Sequence, residues 1–244
     1  MPLIELPAEI FMGILDLVPL VPPKDLATLM LVNKLFLKFV EERLYCDLEM
    51  DLFISDRRVQ AAKCLETLKN RKSAAEAVRS ISVRWAGLVD QDLRKLFVES
   101  LERTTCLSTL SLSNSPVTDP CTNTVTYPPL FPKTLPSNFL PNLSTLNADT
   151  LDTLVQLVPQ RPVHTVRVEV ENIDVDSIDR VTDALRLSTS TIQHFQIKLS
   201  VPSQDHVLSA FSKLIKEEAF EHLATLCLLF KWNSLRLDWG FLKV

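Results

Sequence analysis

The chain has 244 residues, 46% of them hydrophobic and 23% charged, with a formal net charge of −4. That balance excludes a largely disordered chain and gives nucleic acid no bulk electrostatic attraction. No run approaches the ~18 apolar residues of a membrane span. Only three glycines stand against fifteen prolines, which excludes a glycine-rich phosphate loop. The five cysteines, Cys46, Cys64, Cys106, Cys121 and Cys227, are scattered and odd in number, the usage of reduced thiols in an intracellular protein. A basic leader is absent, and Glu5, Glu9 and Asp16 interrupt the first apolar stretch, unlike a secretory signal. The length allows one large or two small domains.

In chain order, the first segment reads as three short helices. Glu9 to Val18 places Ile10, Ile14, Leu15 and Val18 along one broad side. Pro22 and Pro23 break the chain, and Lys24 to Leu31 carries Leu26, Leu29, Met30 and Leu31. Asn33 to Arg43 forms the third helix, with Phe36, Phe39, Val40 and then Leu44 at helical spacing. A unit of roughly 40 residues rarely stands alone without staples or a partner, so part of this apolar surface is expected to meet something else.

The residues that carry this pattern are Leu6-Pro7-x-Glu9-Ile10 with Ile14-Leu15, then Asp25-Leu26-x-x-Leu29-x-Leu31-Val32-Asn33-Lys34-x-Phe36, and finally Leu44-Tyr45. Together they resemble an F-box, of the kind found in fungal proteins. The resemblance implies a helical domain over residues 1–45 that docks on the SKP adaptor of a cullin-RING ubiquitin ligase. It places Leu6, Pro7, Ile10, Ile14, Leu29, Leu31 and Val32 at the adaptor. The alternative is an N-terminal helical cap on a larger domain.

Beyond Leu44 the period changes. Tyr45 to Phe53 alternates, with Cys46, Leu48, Met50 and Leu52 on one face and Asp47, Glu49 and Asp51 on the other, which predicts a half-buried strand. A helix over Asp56 to Arg71 and a strand over Arg79 to Trp85 follow. An apolar signature, Φ-x-x-Φ-x-Φ, begins at Tyr45, Val78, Leu107, Leu143, Val163, Ile192 and Leu223, with starts 20 to 36 residues apart. Periods of that size belong to solenoids. Helical stripes fall between: Leu93, Leu96, Phe97 and Leu101; Leu151, Leu154, Val155 and Val158; Val175, Ile178, Val181 and Leu185; and Leu208, Phe211 and Ile215 with Val207 and Leu214. The expected fold class is α/β, a strand–helix repeat over residues 46–244 stacked in sequence on a parallel sheet. This region resembles a degenerate leucine-rich-repeat array, in which the asparagine that usually follows each strand is mostly missing. A compact open α/β sheet is the alternative.

Residues 113–142 hold seven prolines and read as a loop, expected to be a binding element or a disordered insertion. The end, Lys231 to Val244, reads as a hairpin-like cap or a shortened chain. From Arg57 to Arg84 eight basic residues face two acids, and from Asp149 to Asp183 eight acids face three arginines, either a polarised surface or two ordinary solvated faces.

Catalytic chemistry finds little footing. His164, His194, His206 and His222 share no ligand spacing, no C-x-x-C exists, and no G-x-S-x-G elbow is present. Cys46 and Cys227 fall in predicted strands as buried, inert thiols. No metal, cofactor, nucleic acid or membrane is expected. Strand alternation instead predicts an open sheet face carrying Ser80, Ser82 and Arg84; Thr165, Arg167 and Glu169; and His194, Gln196 and Lys198. Arg84, Arg167, Glu169, His194 and Lys198 are the candidate contacts for a target protein. The expected function is that of a substrate-recognition subunit, cytoplasmic or nuclear; a ligase-independent interaction scaffold is the alternative.

Overall fold

The computed structural model describes residues 10, 13, 34–52, 54–86, 90–115, 117–118, 125–126, 130–132, 134–171, 175–201 and 223–232. Ile10 and Gly13 are helical. The rest of the expected first two helices, the fourth stripe at residues 207–215 and the chain beyond Trp232 lie outside these residues. Helix α1 (Lys34–Tyr45) leads into β1 (Asp47–Asp51), α2 (Ser55–Asn70), α3 (Lys72–Ala77), β2 (Ser80–Ala86) and α4 (Gln91–Leu101). Next come β3 (Thr109–Ser115), a small antiparallel pair β4 (Val117–Thr118) and β5 (Val125–Thr126), then β6 (Thr145–Ala148) and α5 (Leu151–Leu157). The series closes with β7 (Thr165–Glu171), α6 (Val175–Arg186), β8 (His194–Val201) and β9 (Thr225–Trp232).

Seven strands form one parallel sheet in the order β1-β2-β3-β6-β7-β8-β9, which is chain order with no crossing. The fold is therefore α/β with strands stacked in succession, the order a solenoid has. The apolar signature sets the register. Leu48, Ile81, Leu110, Leu146, Val166, Phe195 and Leu226 stand directly beside one another in a single row. The five inner members of that row are buried; Leu48 and Leu226, on the outer strands, are partly buried. Because strand side chains alternate with period two, a slip of one residue would turn this whole row to water.

A second regularity sits just before each strand. The carbonyl of Cys46 accepts from the N–H groups of Arg79 and Ser80, at 2.8 and 2.9 Å. The carbonyl of Arg79 accepts likewise from Ser108 and Thr109, that of Ser108 from Ser144 and Thr145, and that of Ser144 from His164 and Thr165. His164 and Gln193 continue the series, accepting from Gln193 with His194 and from Ala224 with Thr225. The Ser108 hydroxyl also donates to Arg79 O, and the Ser144 hydroxyl to Ser108 O. A backbone ladder thus joins all seven repeats without needing an asparagine.

Several sequence expectations are corrected. Tyr45 closes α1 instead of opening a strand, and Cys46 lies at the bend between α1 and β1. Neither Cys46 nor Cys227 is fully buried: Cys46 stands at the first edge of the array, and Cys227 falls on the face of β9 away from the buried row, beside Gln196. A short extra helix, α3, follows α2: Lys72 to Ala77 buries Ala74, Ala75 and Ala77, whose small side chains allow close approach. The proline-rich stretch is partly structural. Phe131, Phe139 and Leu140 are buried in the core. Trp85, Phe97, Phe131 and Phe139 run as a chain of ring contacts, with centroids 5.4, 6.5 and 6.1 Å apart. Prolines cannot build the helix other repeats use here, so aromatic side chains cover the sheet instead.

Arg161 fixes the end of this stretch. It is 3% exposed, and its Nε donates to Phe139 O at 2.7 Å. Its Nη1 donates to Leu157 O at 3.1 Å and Pro159 O at 2.8 Å, carbonyls at the C-terminal end of α5. Burial lowers the pKa of this guanidinium. Its charge is met by helix-end carbonyls and the Phe139 ring, 5.8 Å away. Arg161→Met, which fills the space but leaves those carbonyls unpaired, is expected to cost about 3 kcal/mol in urea unfolding. Phe131→Ala is expected to cost about 3–5 kcal/mol; a change below 1 kcal/mol would return the whole proline-rich stretch to the status of an insertion.

Candidate functional site

The buried row leaves alternate strand residues on the other face, with helices packed only beneath the sheet among the described residues. One row of that open face reads Asp47, Ser80, Thr109, Thr145, Thr165, His194, Thr225, and the next Glu49, Ser82, Ser111, Asn147, Arg167, Gln196, Cys227. Small hydroxyl and amide side chains fill the middle strands, and charges gather toward the two ends. The middle is therefore flat and rich in hydrogen-bonding groups, with charge available on either side of it.

The five candidate contacts do not form one cluster. Arg167, Glu169, His194 and Lys198 share the neighbouring strands β7 and β8, and Lys198 Nζ lies 2.5 Å from Glu169 Oε1. Arg167 and His194 are exposed beside that pair. Arg167 has no ion-pair partner among the described residues. Arg84 is three strands away on β2, about 14 Å at the usual strand spacing. It belongs with Asp51, 4.0 Å distant, which also receives Arg57 at 3.6 Å. Of the adaptor candidates, Ile10 is described, helical and 49% exposed; Leu6, Pro7, Ile14, Leu29, Leu31 and Val32 lie outside the described residues.

Asn147 and Ser111 are face residues that the sequence reading passed over. Asn147 Nδ2 donates to Ser111 Oγ at 2.6 Å, while Asn147 Oδ1 is buried without a partner. The alternation that picked out β2, β7 and β8 would have found them had it been extended to β3 and the shorter β6. In register the pair stands next to Arg167.

The two charge blocks resolve into short contacts, several of them between successive repeats. Lys69 of α2 meets Glu99 of α4 at 2.8 Å, and Arg180 of α6 meets Asp152 of α5 at 2.5 Å. The Lys69 contact holds the Glu99 carboxyl below its usual pKa. Arg71 of the α2–α3 junction pairs with Glu41 of α1, which is 3% exposed. Much of each block is thus spent within the array rather than offered to a partner.

Among the described residues no three His, Cys, Asp or Glu side chains come together to hold a metal ion. His164 Nδ1 is 3.0 Å from Thr165 Oγ1, a contact between chain neighbours. The thiols of Cys46 and Cys64 are both raised in pKa, first of all by burial. No helix among the described residues is long and apolar enough to cross a membrane. No family model, curated protein or solved structure matches the chain.

Lys198→Ala is expected to change stability by less than about 1 kcal/mol, because both partners of its ion pair are part-exposed and solvent screens them. Thermal unfolding of the single and double variants with Glu169→Ala measures that coupling. The Cys64 thiol is expected to be alkylated by iodoacetamide more slowly at neutral pH than a free peptide cysteine, since less of it is thiolate.

Proposed function

We propose that this chain is a substrate-recognition subunit of a cullin-RING ubiquitin ligase. Its F-box-like N-terminal helices dock an SKP-type adaptor, and its leucine-rich-repeat-like array holds a target protein. The observation that carries the reading is Ile10, which closes the Leu6-Pro7-x-Glu9-Ile10 motif, lying on a helix and 49% exposed. A half-exposed isoleucine there is what a docking helix needs. Each large apolar side chain fully buried contributes about 1.5–3 kcal/mol before the cost of association is subtracted.

The open sheet face supports the second half of the reading. Its row of hydroxyl and amide groups, flanked by Arg167, His194 and the Lys198–Glu169 pair, offers a broad polar surface on a rigid sheet. Holding a target there raises the effective concentration of its lysines at the ubiquitin carrier, a gain by proximity without bond-making by this chain.

A second reading is favoured by a different observation. Helix α1 is tied to the array through buried Val40 and the Glu41–Arg71 pair. A helix so fixed also suits a cap on a ligase-independent scaffold. Co-expression with an SKP-type adaptor separates the two. A stable complex that is lost in Leu6→Asp and Ile10→Asp, with the variants still folded by circular dichroism, is the expected result. Failure of the wild-type chain to co-purify, together with a soluble monomer in isolation, would favour the scaffold.

A further inference from the structure

The first strand ends the sheet, and its outer side has no strand partner among the described residues. Cys46 O and Leu52 N both bond toward β2. In a parallel ladder the backbone groups of alternate residues point to opposite sides. The N–H and C=O of Asp47 and Glu49 therefore point away from the sheet.

Alongside this edge runs a groove of about 560 Å³, a size typical of ligand clefts. One wall is β1, from Leu48 to Asp51. A stripe of α2, Arg57, Gln60, Ala61 and Cys64, spaced along a single side of that helix, lines it as well, and Ser82, Val83 and Arg84 of β2 with Ser113 of β3 carry it on across the sheet. In the next repeat the corresponding flank is covered: Ser100 of α4 donates to Leu65 O of α2 at 2.8 Å, and Glu99 pairs with Lys69. At the first repeat α1 reaches the far end of α2, where Glu41 meets Arg71, and none of the described residues covers the half from Arg57 to Cys64. The groove thus begins at the β1 edge and continues over its neighbours.

We propose that this groove takes an extended segment of a partner protein, added to β1 as an eighth strand, with a lysine or arginine opposite Glu49. Glu49 is exposed and has no ion-pair partner among the described residues, whereas Asp51 is matched by Arg57 and Arg84. A basic side chain directly opposite would meet the Glu49 carboxylate, and opposite charges directly across a strand pair stabilise it. Alternate side chains of the added strand point under the sheet toward Met50, Ala61 and Cys64, which favour small apolar residues. A second copy of β1 is a poor occupant, because Asp47, Glu49 and Asp51 would face their own copies. Backbone pairing at an open edge is a general mode of peptide capture. This site lies on the sheet's first edge, apart from the Arg167–Lys198 region, and holds whether or not the N-terminal helices dock an adaptor.

The test uses the full chain and the peptide Thr-Val-Lys-Val-Thr-Val-amide carrying fluorescein on its N-terminal amine, followed by anisotropy. Saturable binding is expected, weakened about tenfold or more when lysine is replaced by glutamate in the peptide. Glu49→Lys should reverse that preference, binding the glutamate peptide better. Two N-methylated peptides test the backbone: one methylated at the valines, the other at lysine and threonine. A parallel added strand loses about tenfold with the first, an antiparallel one with the second. Since these changes are made in the peptide, misfolding cannot imitate them. Absence of saturable binding at millimolar protein would overturn the proposal. So would equal binding of both methylated peptides and the parent, or a charge preference that Glu49→Lys leaves unchanged.

Discussion

The fold depends on a carbonyl that repeats. At Cys46, Arg79, Ser108, Ser144, His164 and Gln193 one backbone oxygen accepts two N–H groups from the start of the next strand. This fixes where each new strand begins beside its predecessor, and once the start is fixed the register follows. The segment between successive carbonyls varies widely: 36 residues separate Ser108 from Ser144 and only 20 separate Ser144 from His164. Loop-closure entropy grows slowly with length, so unequal excursions on the helical side are tolerated so long as each returns to the same ladder position. Side chains need not be conserved in type for this, because the bonds are made by the main chain. That is how repeats of unequal length keep their stacking.

The register was legible because it rests on apolar periodicity. Leu48, Ile81, Leu110, Leu146, Val166, Phe195 and Leu226 stand out in the sequence by spacing alone, and burial in one row is what that spacing requires. The helical stripes were legible for the same reason: Leu93, Phe97 and Leu101 recur at helical intervals and are buried together. What escaped were features decided by tertiary context. Ala74, Ala75 and Ala77 carry no strong period, so α3 gave no signal of its own. Phe131 and Phe139 stand among prolines that argue for a loop, and only the neighbouring repeats make them core. Arg161 looked like one charge in an acidic stretch, although its guanidinium is enclosed by carbonyls.

The open face was predictable in composition but not in grouping. Alternation names the residues on a strand's free side, yet which strands adjoin depends on the sheet order. Arg84 and Arg167 look equivalent in sequence; three strand steps separate them, and Asp51 occupies one but not the other. Ion pairs compete with ligands for the same charges. Where a charge is matched by a neighbouring repeat, as at Lys69 with Glu99, it contributes to cohesion of the stack. Where it has no ion-pair partner among the described residues, as at Arg167 and Glu49, it is available to a partner.

A stack of repeats also makes its two ends unlike its middle. Every inner strand is paired on both sides, whereas among the described residues β1 has a partner on one side only. Edges of this kind are ordinarily blunted by charge or covered, and β1 carries acids at Asp47, Glu49 and Asp51 that discourage pairing with itself. Those acids do not discourage a basic strand. The same residues that protect the edge from self-association thus select the sign of what can bind there. Helix α1, anchored by Glu41 and Arg71, covers one part of this end, and among the described residues the part beside Glu49 is open. Capping is therefore divided between a helix of the chain itself and a groove whose backbone polar groups are turned outward.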